Sequence, residues 1–122
     1  MIFGCGIDIE EIIRFDKHYF EKGQLSHLIY DIFTSREIEN FSVFGKEAFL
    51  KGFCFKEAFY KAIHNSEISW FDVEIIFNIE QSFEIFYSDV LKLYLNSNEI
   101  AKIDVNFERT GQYVICKVIL VK

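Results

Sequence analysis

The chain has 122 residues, 51% of them apolar and 26% charged, with 19 acidic against 13 basic side chains and a net charge of −6. That balance describes one folded domain, residues 1–122, rather than a disordered segment, and the acidic surplus argues against nucleic acid as the main partner. Cys5, Cys54 and Cys116 are odd in number and widely spaced, with no Cys-x-x-Cys and no histidine at ligand spacing, so neither a disulfide framework nor a zinc site is expected.

Met1–Ile9 reads as a buried strand and Glu10 to Phe20 as a helix, with Ile12, Ile13 and Phe20 on its apolar face and Gly23 as its stop. A second helical stretch is predicted over Leu25–Ile32. Thr34, followed three residues later by Glu37, has the form of a capping box and opens a third helix toward Ile38 and Phe41. The strongest helix runs from Lys46 to His64. Val73–Phe77 and Phe83–Tyr87 follow as strands joined by the polar Asn78–Ser82, then a helix over Val90–Ile100. Ile103–Phe107 and Tyr113–Val121 form a closing hairpin around Thr110-Gly111. The order β, several α, then mostly β predicts an α+β domain.

No apolar run is long enough to span a bilayer, and Asp8 interrupts the N-terminal apolar stretch too early for a signal peptide. A cytoplasmic protein that does not engage a membrane is expected. Fifteen phenylalanines against one Trp and one Met supply more aromatic surface than a small domain readily hides, a hint of a subunit interface.

Two carboxylates stand out. In a strand, Ile2, Gly4, Gly6 and Asp8 share a face, so two glycines strip that face of side chains just ahead of a charge. Asp8 either faces a ligand there or caps the following helix. On the long helix, Leu50, Phe53, Cys54, Lys61 and His64 surround Glu57, a carboxylate on an apolar stripe. Alone it reads as half of an i,i+4 pair with Lys61. Together the two are a sufficient protein contribution to a Mg2+ site, and lysines 46, 51, 56 and 61 are placed to meet phosphates as point charges.

The run Gly4-Cys5-Gly6-Ile7-Asp8-Ile9-Glu10-Glu11-Ile12-Ile13-Arg14 resembles the opening of holo-acyl-carrier-protein synthases. Phe33-Thr34-Ser35-Arg36-Glu37, Phe53-Cys54-Phe55-Lys56-Glu57-Ala58-Phe59-Tyr60-Lys61-Ala62 and Phe71-Asp72-Val73-Glu74-Ile75 resemble later motifs of that family, in order, and Tyr113 to Leu120 its closing strand. The resemblance implies the 4'-phosphopantetheinyl transferase fold, a long central helix and shorter helices packed on a mainly antiparallel sheet. It implies Mg2+-dependent transfer of 4'-phosphopantetheine from coenzyme A to a serine of an acyl carrier protein, in fatty acid synthesis, with release of 3',5'-ADP. Asp8 and Glu57 would hold the metal, Glu57 and Lys61 would be catalytic, Lys61 and Lys46 would bind the coenzyme, and Arg14 with Lys17 would face the carrier, Lys22 extending that basic side. Homotrimers with sites between subunits are expected.

Three departures bear on this. Gly52 stands where the family usually has arginine, Ile63–Ser69 replaces a glycine-rich turn, and Asn106-Phe107-Glu108-Arg109 replaces a late Ser-x-Ser-His. They leave an alternative open, a catalytically impaired homologue acting as a carrier-binding or assembly module.

Overall fold

A computed structural model describes residues 1–21, 24–80 and 82–122. Its first strand, β1 (Ile2–Glu11), lies antiparallel to the C-terminal strand, and the three-stranded sheet has the order β1, β7 (Tyr113–Val121), β6 (Lys102–Thr110). The closing hairpin turns at Gly111, whose φ of 58° suits a residue without Cβ.

Alternation along β1 is sharp. Gly4, Gly6 and Asp8 are buried, whereas Cys5, Ile7 and Ile9 face outward. Across the buried face runs the long helix α3, spanning Lys46–Ile63 and preceded by α1 (Ile12–Tyr19) and α2 (Ser35–Phe44). The helix approaches so closely that a Cβ at Gly6 would run into the Ala58 carbonyl oxygen, and one at Gly4 into that of Ala62. Backbone therefore meets backbone, with no side chain between them.

Several elements differ from the sequence expectation. α1 starts at Ile12 because β1 continues through Glu11, which pairs with Tyr113, and the Ile12 N–H donates to the Gln112 carbonyl at 2.8 Å. The helix gives way at Phe20 to a short hairpin of β2 (Phe20–Glu21) and β3 (Gln24–Leu25); the expected stop, Gly23, lies outside the described residues, as does Lys22. The predicted helix over Leu25–Ile32 is a 3-10 turn, His27–Asp31, opened by the Ser26 hydroxyl accepting from the Leu28 N–H. Ile29 is its one buried residue, too little anchorage for a longer helix.

The capping box of α2 forms as predicted, with Thr34 Oγ1 accepting from the Glu37 N–H at 3.2 Å and Glu37 Oε1 from the Thr34 N–H at 3.1 Å. β4 (Val73–Phe77) and β5 (Phe83–Tyr87) make a separate hairpin. α2 covers the outer edge of β4: Glu37 Oε2 accepts from the Ile75 N–H at 3.0 Å and Asn40 exchanges two hydrogen bonds with the Phe77 backbone. α4 (Asp89–Ser97) is capped by Ser88.

The core is aromatic. Phe33, Phe41 and Phe49 meet edge to face, at ring separations of 5.1–6.1 Å. Gly52 makes room for them: a Cβ there would fall 2.6 Å from the Phe41 ring. The loss of a cation at this position is thus coupled to how the core is filled. Inside the same core Lys56 and Glu37 form an ion pair whose side chains are both fully buried. Phenylalanine supplies little of the exposed apolar surface, Phe44 and Phe71 being its large contributions among the described residues; isoleucines 2, 7 and 9 on β1 supply more. No described helix is long and apolar enough to cross a membrane.

Gly6→Ala should push α3 off β1, lowering stability by about 3 kcal/mol, at the upper end for overpacking. Denaturant unfolding measures this, and a loss below about 0.5 kcal/mol would contradict the contact.

Candidate functional site

The glycine contact brings two distant parts of the chain together. Asp8, buried on β1, and Glu57, half-buried on α3, line one cavity of about 540 Å3 together with Glu10, Arg14, Phe15, His18, Tyr19 and Phe53. Asp8 does not cap α1: the N-cap is Glu11, with no side-chain cap bond. Nor does Lys61 pair with Glu57. From a half-exposed side chain, its ammonium donates instead to the Ile7 carbonyl at 3.0 Å and to Asp8 Oδ1 at 3.3 Å.

Glu10 is the carboxylate the sequence reading left out. With β1 extended through Glu11, Glu10 falls on the face of Asp8, two residues on. Burial, then a hydrogen bond and charge repulsion from Asp8, then repulsion from Glu57 push its carboxyl up to about 8, against a smaller opposing pull from Arg14. Glu57 is raised from the ordinary carboxylate range too, by burial first and Asp8 second, Lys61 opposing. Protonated, Glu10 carries no charge against Asp8. Ionised, it adds a third negative charge to the cavity.

Asp8 Oδ2 is buried with no hydrogen-bond partner. An orphaned carboxylate oxygen in a cavity edged by further carboxylates is a hard, oxygen-rich environment suited to a divalent cation such as Mg2+. Among the described residues no three acidic, histidine or cysteine side chains are gathered into a complete cage. The fit is therefore to a cation held by one or two carboxylates, with solvent and an anionic ligand filling the rest of its shell.

The remaining candidates divide. Arg14 lines the cavity on α1, with Lys17 exposed on the same helix. Lys46 does not reach this cavity. It lies at the start of α3 with its ammonium 5.2 Å from the Phe20 ring centre, beside a smaller hollow shared with Asp16, Glu47 and Arg109. Lys51 lines a groove with Phe44 and Phe77. Lys56 is withdrawn altogether: the spacing that suggested a phosphate contact points its side chain into the core. At the end of α3, where the family's glycine-rich turn is missing, His64 takes the left-handed conformation, with φ of 53°. Arg109, in the altered late segment, pairs with Glu47.

Because Glu10 binds a proton more tightly in the folded chain than in the unfolded one, its contribution is full below the ordinary carboxylate pKa of 4.5 and is lost as pH rises through about 8. In chelator, the melting temperature should fall from about pH 5 to about pH 8.5, and Glu10→Gln should flatten that slope. An equal slope in the variant would show that Glu10 ionises normally.

Residues 4–117 match the 4'-phosphopantetheinyl transferase superfamily. The holo-[acyl-carrier-protein] synthase of Geobacter sulfurreducens is 31% identical over 126 residues, covering 98% of both chains. The crystal structure of the Neisseria meningitidis holo-[acyl-carrier-protein] synthase superposes with a TM-score of 0.80 at 27% identity, covering all of both chains. The Helicobacter pylori enzyme, solved in complex with coenzyme A, gives 0.75 at 20% identity over 95% of this chain and 98% of its own, a likeness of fold. On the match of nearly the whole chain, it belongs to the holo-[acyl-carrier-protein] synthase family of the 4'-phosphopantetheinyl transferase superfamily.

Proposed function

We propose that the chain transfers 4'-phosphopantetheine from coenzyme A to a serine of an acyl carrier protein, releasing 3',5'-ADP, in a Mg2+-dependent reaction in the cytoplasm that serves lipid synthesis. The observation that carries this reading is the convergence of Asp8 and Glu57 on one cavity, with Asp8 Oδ2 buried and unpartnered.

Asp8 and Glu57 would hold the cation, with Glu10 the third carboxylate close enough to contribute. Bound Mg2+ supplies positive charge against the pyrophosphate of the donor. Lys61, tethered to Asp8 and the Ile7 carbonyl, keeps a half-exposed side chain beside that carboxylate, where it would meet a phosphate oxygen and offset charge as the phosphodiester forms. In that step the serine oxygen bonds to the phosphorus carrying pantetheine, and the bond from that phosphorus to the oxygen retained by 3',5'-ADP breaks. Glu57 is suited to take the serine proton, because burial makes its carboxylate more basic than an exposed one. Phe15, Tyr19 and Phe53 supply the aromatic part of the cavity lining and would limit water.

Arg14, which lines the cavity, and Lys17, exposed on the same helix, present cations on α1, an arrangement suited to steering an acidic carrier despite the net charge of −6. Lys46 would serve the coenzyme only across a contact between copies, since its own cavity is separate. Exposed Ile7 and Ile9 on the outer face of β1, with exposed Ile2 at its start, support such a contact, in a homotrimer.

Apo carrier incubated with coenzyme A and Mg2+ should gain about 340 Da, the mass of one phosphopantetheine added to a serine hydroxyl, as read by mass spectrometry. Asp8→Asn and Glu57→Gln should each slow this by about 100-fold or more. No adduct on any carrier from the same genome would overturn the proposal.

A further inference from the structure

We infer that Lys56, buried on the far side of α3, is a positioning residue that fixes the rotation of this helix and so aims Glu57 at Asp8. The inference rests on the transferase reading.

The ammonium of Lys56 has no solvent exposure and spends its donors on three acceptors: Glu37 Oε1 at 2.5 Å, the Trp70 carbonyl at 2.7 Å and the Ile32 carbonyl at 3.0 Å. These belong to α2, to the 3-10 turn Trp70–Asp72 and to the end of the earlier 3-10 turn. Glu37 is equally committed, accepting from Lys56, the Thr34 N–H and the Ile75 N–H. One side chain therefore ties α3 to three separate elements.

Lys56 immediately precedes Glu57, about 100° around the helix. α3 is thus held at two azimuths, by its backbone against Gly4 and Gly6 on one flank and by Lys56 on another. A carboxylate about 6 Å from a helix axis moves about 1 Å for each 10° of rotation, enough to spoil a metal or proton-transfer geometry. The second output is aromatic. Trp70, whose carbonyl Lys56 holds, stacks on Phe53 at 6.3 Å and on Tyr60 at 5.7 Å, the residues one turn before and one turn after Glu57. Phe53 is also a wall of the cavity. Both consequences of the grip arrive at Glu57.

Stability alone does not account for such a pair, because apolar residues of similar volume commonly replace a buried ion pair without loss. That separates the two roles. Lys56→Met alone leaves Glu37 buried without its cation and should fold poorly. Combined with Glu37→Gln, whose side-chain oxygen still accepts from a backbone N–H, it should recover most of the melting temperature that Lys56→Met loses. In this folded double variant kcat should drop by about 10–100-fold with KM for the carrier within about twofold. Mn2+ should bind more weakly by calorimetry, and the emission of Trp70, the chain's single tryptophan, should shift to the red. A folded double variant with kcat within about twofold of the parent would overturn the positioning role. If the parent itself modifies no carrier, the transferase reading has failed separately. Mn2+ affinity and Trp70 emission then decide: changes in both support the role, and parent-like values for either refute it.

Discussion

The close approach of the α3 backbone to β1 is the contact on which the rest of the molecule depends. Two glycines let the Ala58 and Ala62 carbonyls rest where side chains would otherwise stand. A sheet and a helix normally meet through a layer of side chains, and charged groups at that depth would be sealed inside it. Here the layer is missing at Gly4 and Gly6, so Asp8, next along the same face, emerges at the edge of the contact beside Glu57. The same closeness strips water from the acidic groups, and burial is accordingly the first cause of the raised pKa of both Glu10 and Glu57.

The resulting site is costly without its ligand. Asp8, Glu10 and Glu57 repel one another, Asp8 Oδ2 has no donor, and Lys61 and Arg14 are the cations that offset them. Proteins tolerate such arrangements where a bound cation relieves them. The hydrogen-bonded groups behind the site contrast with this. Lys56 and Glu37 are used by one another and by backbone, and the Thr34 hydroxyl accepts from the Glu37 N–H and donates to Glu74, so the support is rigid and satisfied while the cavity is charged and unsatisfied. Rigid surroundings hold the unfavourable geometry in place until a ligand arrives.

Much of this was legible in the residues. Gly-x-Gly-x-Asp with strand alternation is enough to place Asp8 on a stripped face, and Thr34 with Glu37 is enough to start α2. Glu10 was missed because the helix was begun too early; extending the strand by two residues applies the same alternation and recovers it. Lys56 was misread for a different reason. Its spacing from Lys51 and Lys61 resembles a row of phosphate contacts, and only the packing of α2 and Trp70 against α3 shows that it points inward. The 3-10 turn His27–Asp31 depends likewise on tertiary anchorage, which local pattern does not carry. Gly52 stands where the resemblance expects arginine, and the Phe41 ring fills the space a side chain there would need.

The central claim is that one cation sits between the first strand and the long helix. Crystals grown with Mn2+ and coenzyme A, measured at a wavelength where manganese scatters anomalously, test it directly. An anomalous peak about 2.1 Å from carboxylate oxygens of both Asp8 and Glu57 is the predicted result. An ordered donor pyrophosphate with no peak between those two side chains, or a peak held by other residues, would contradict it.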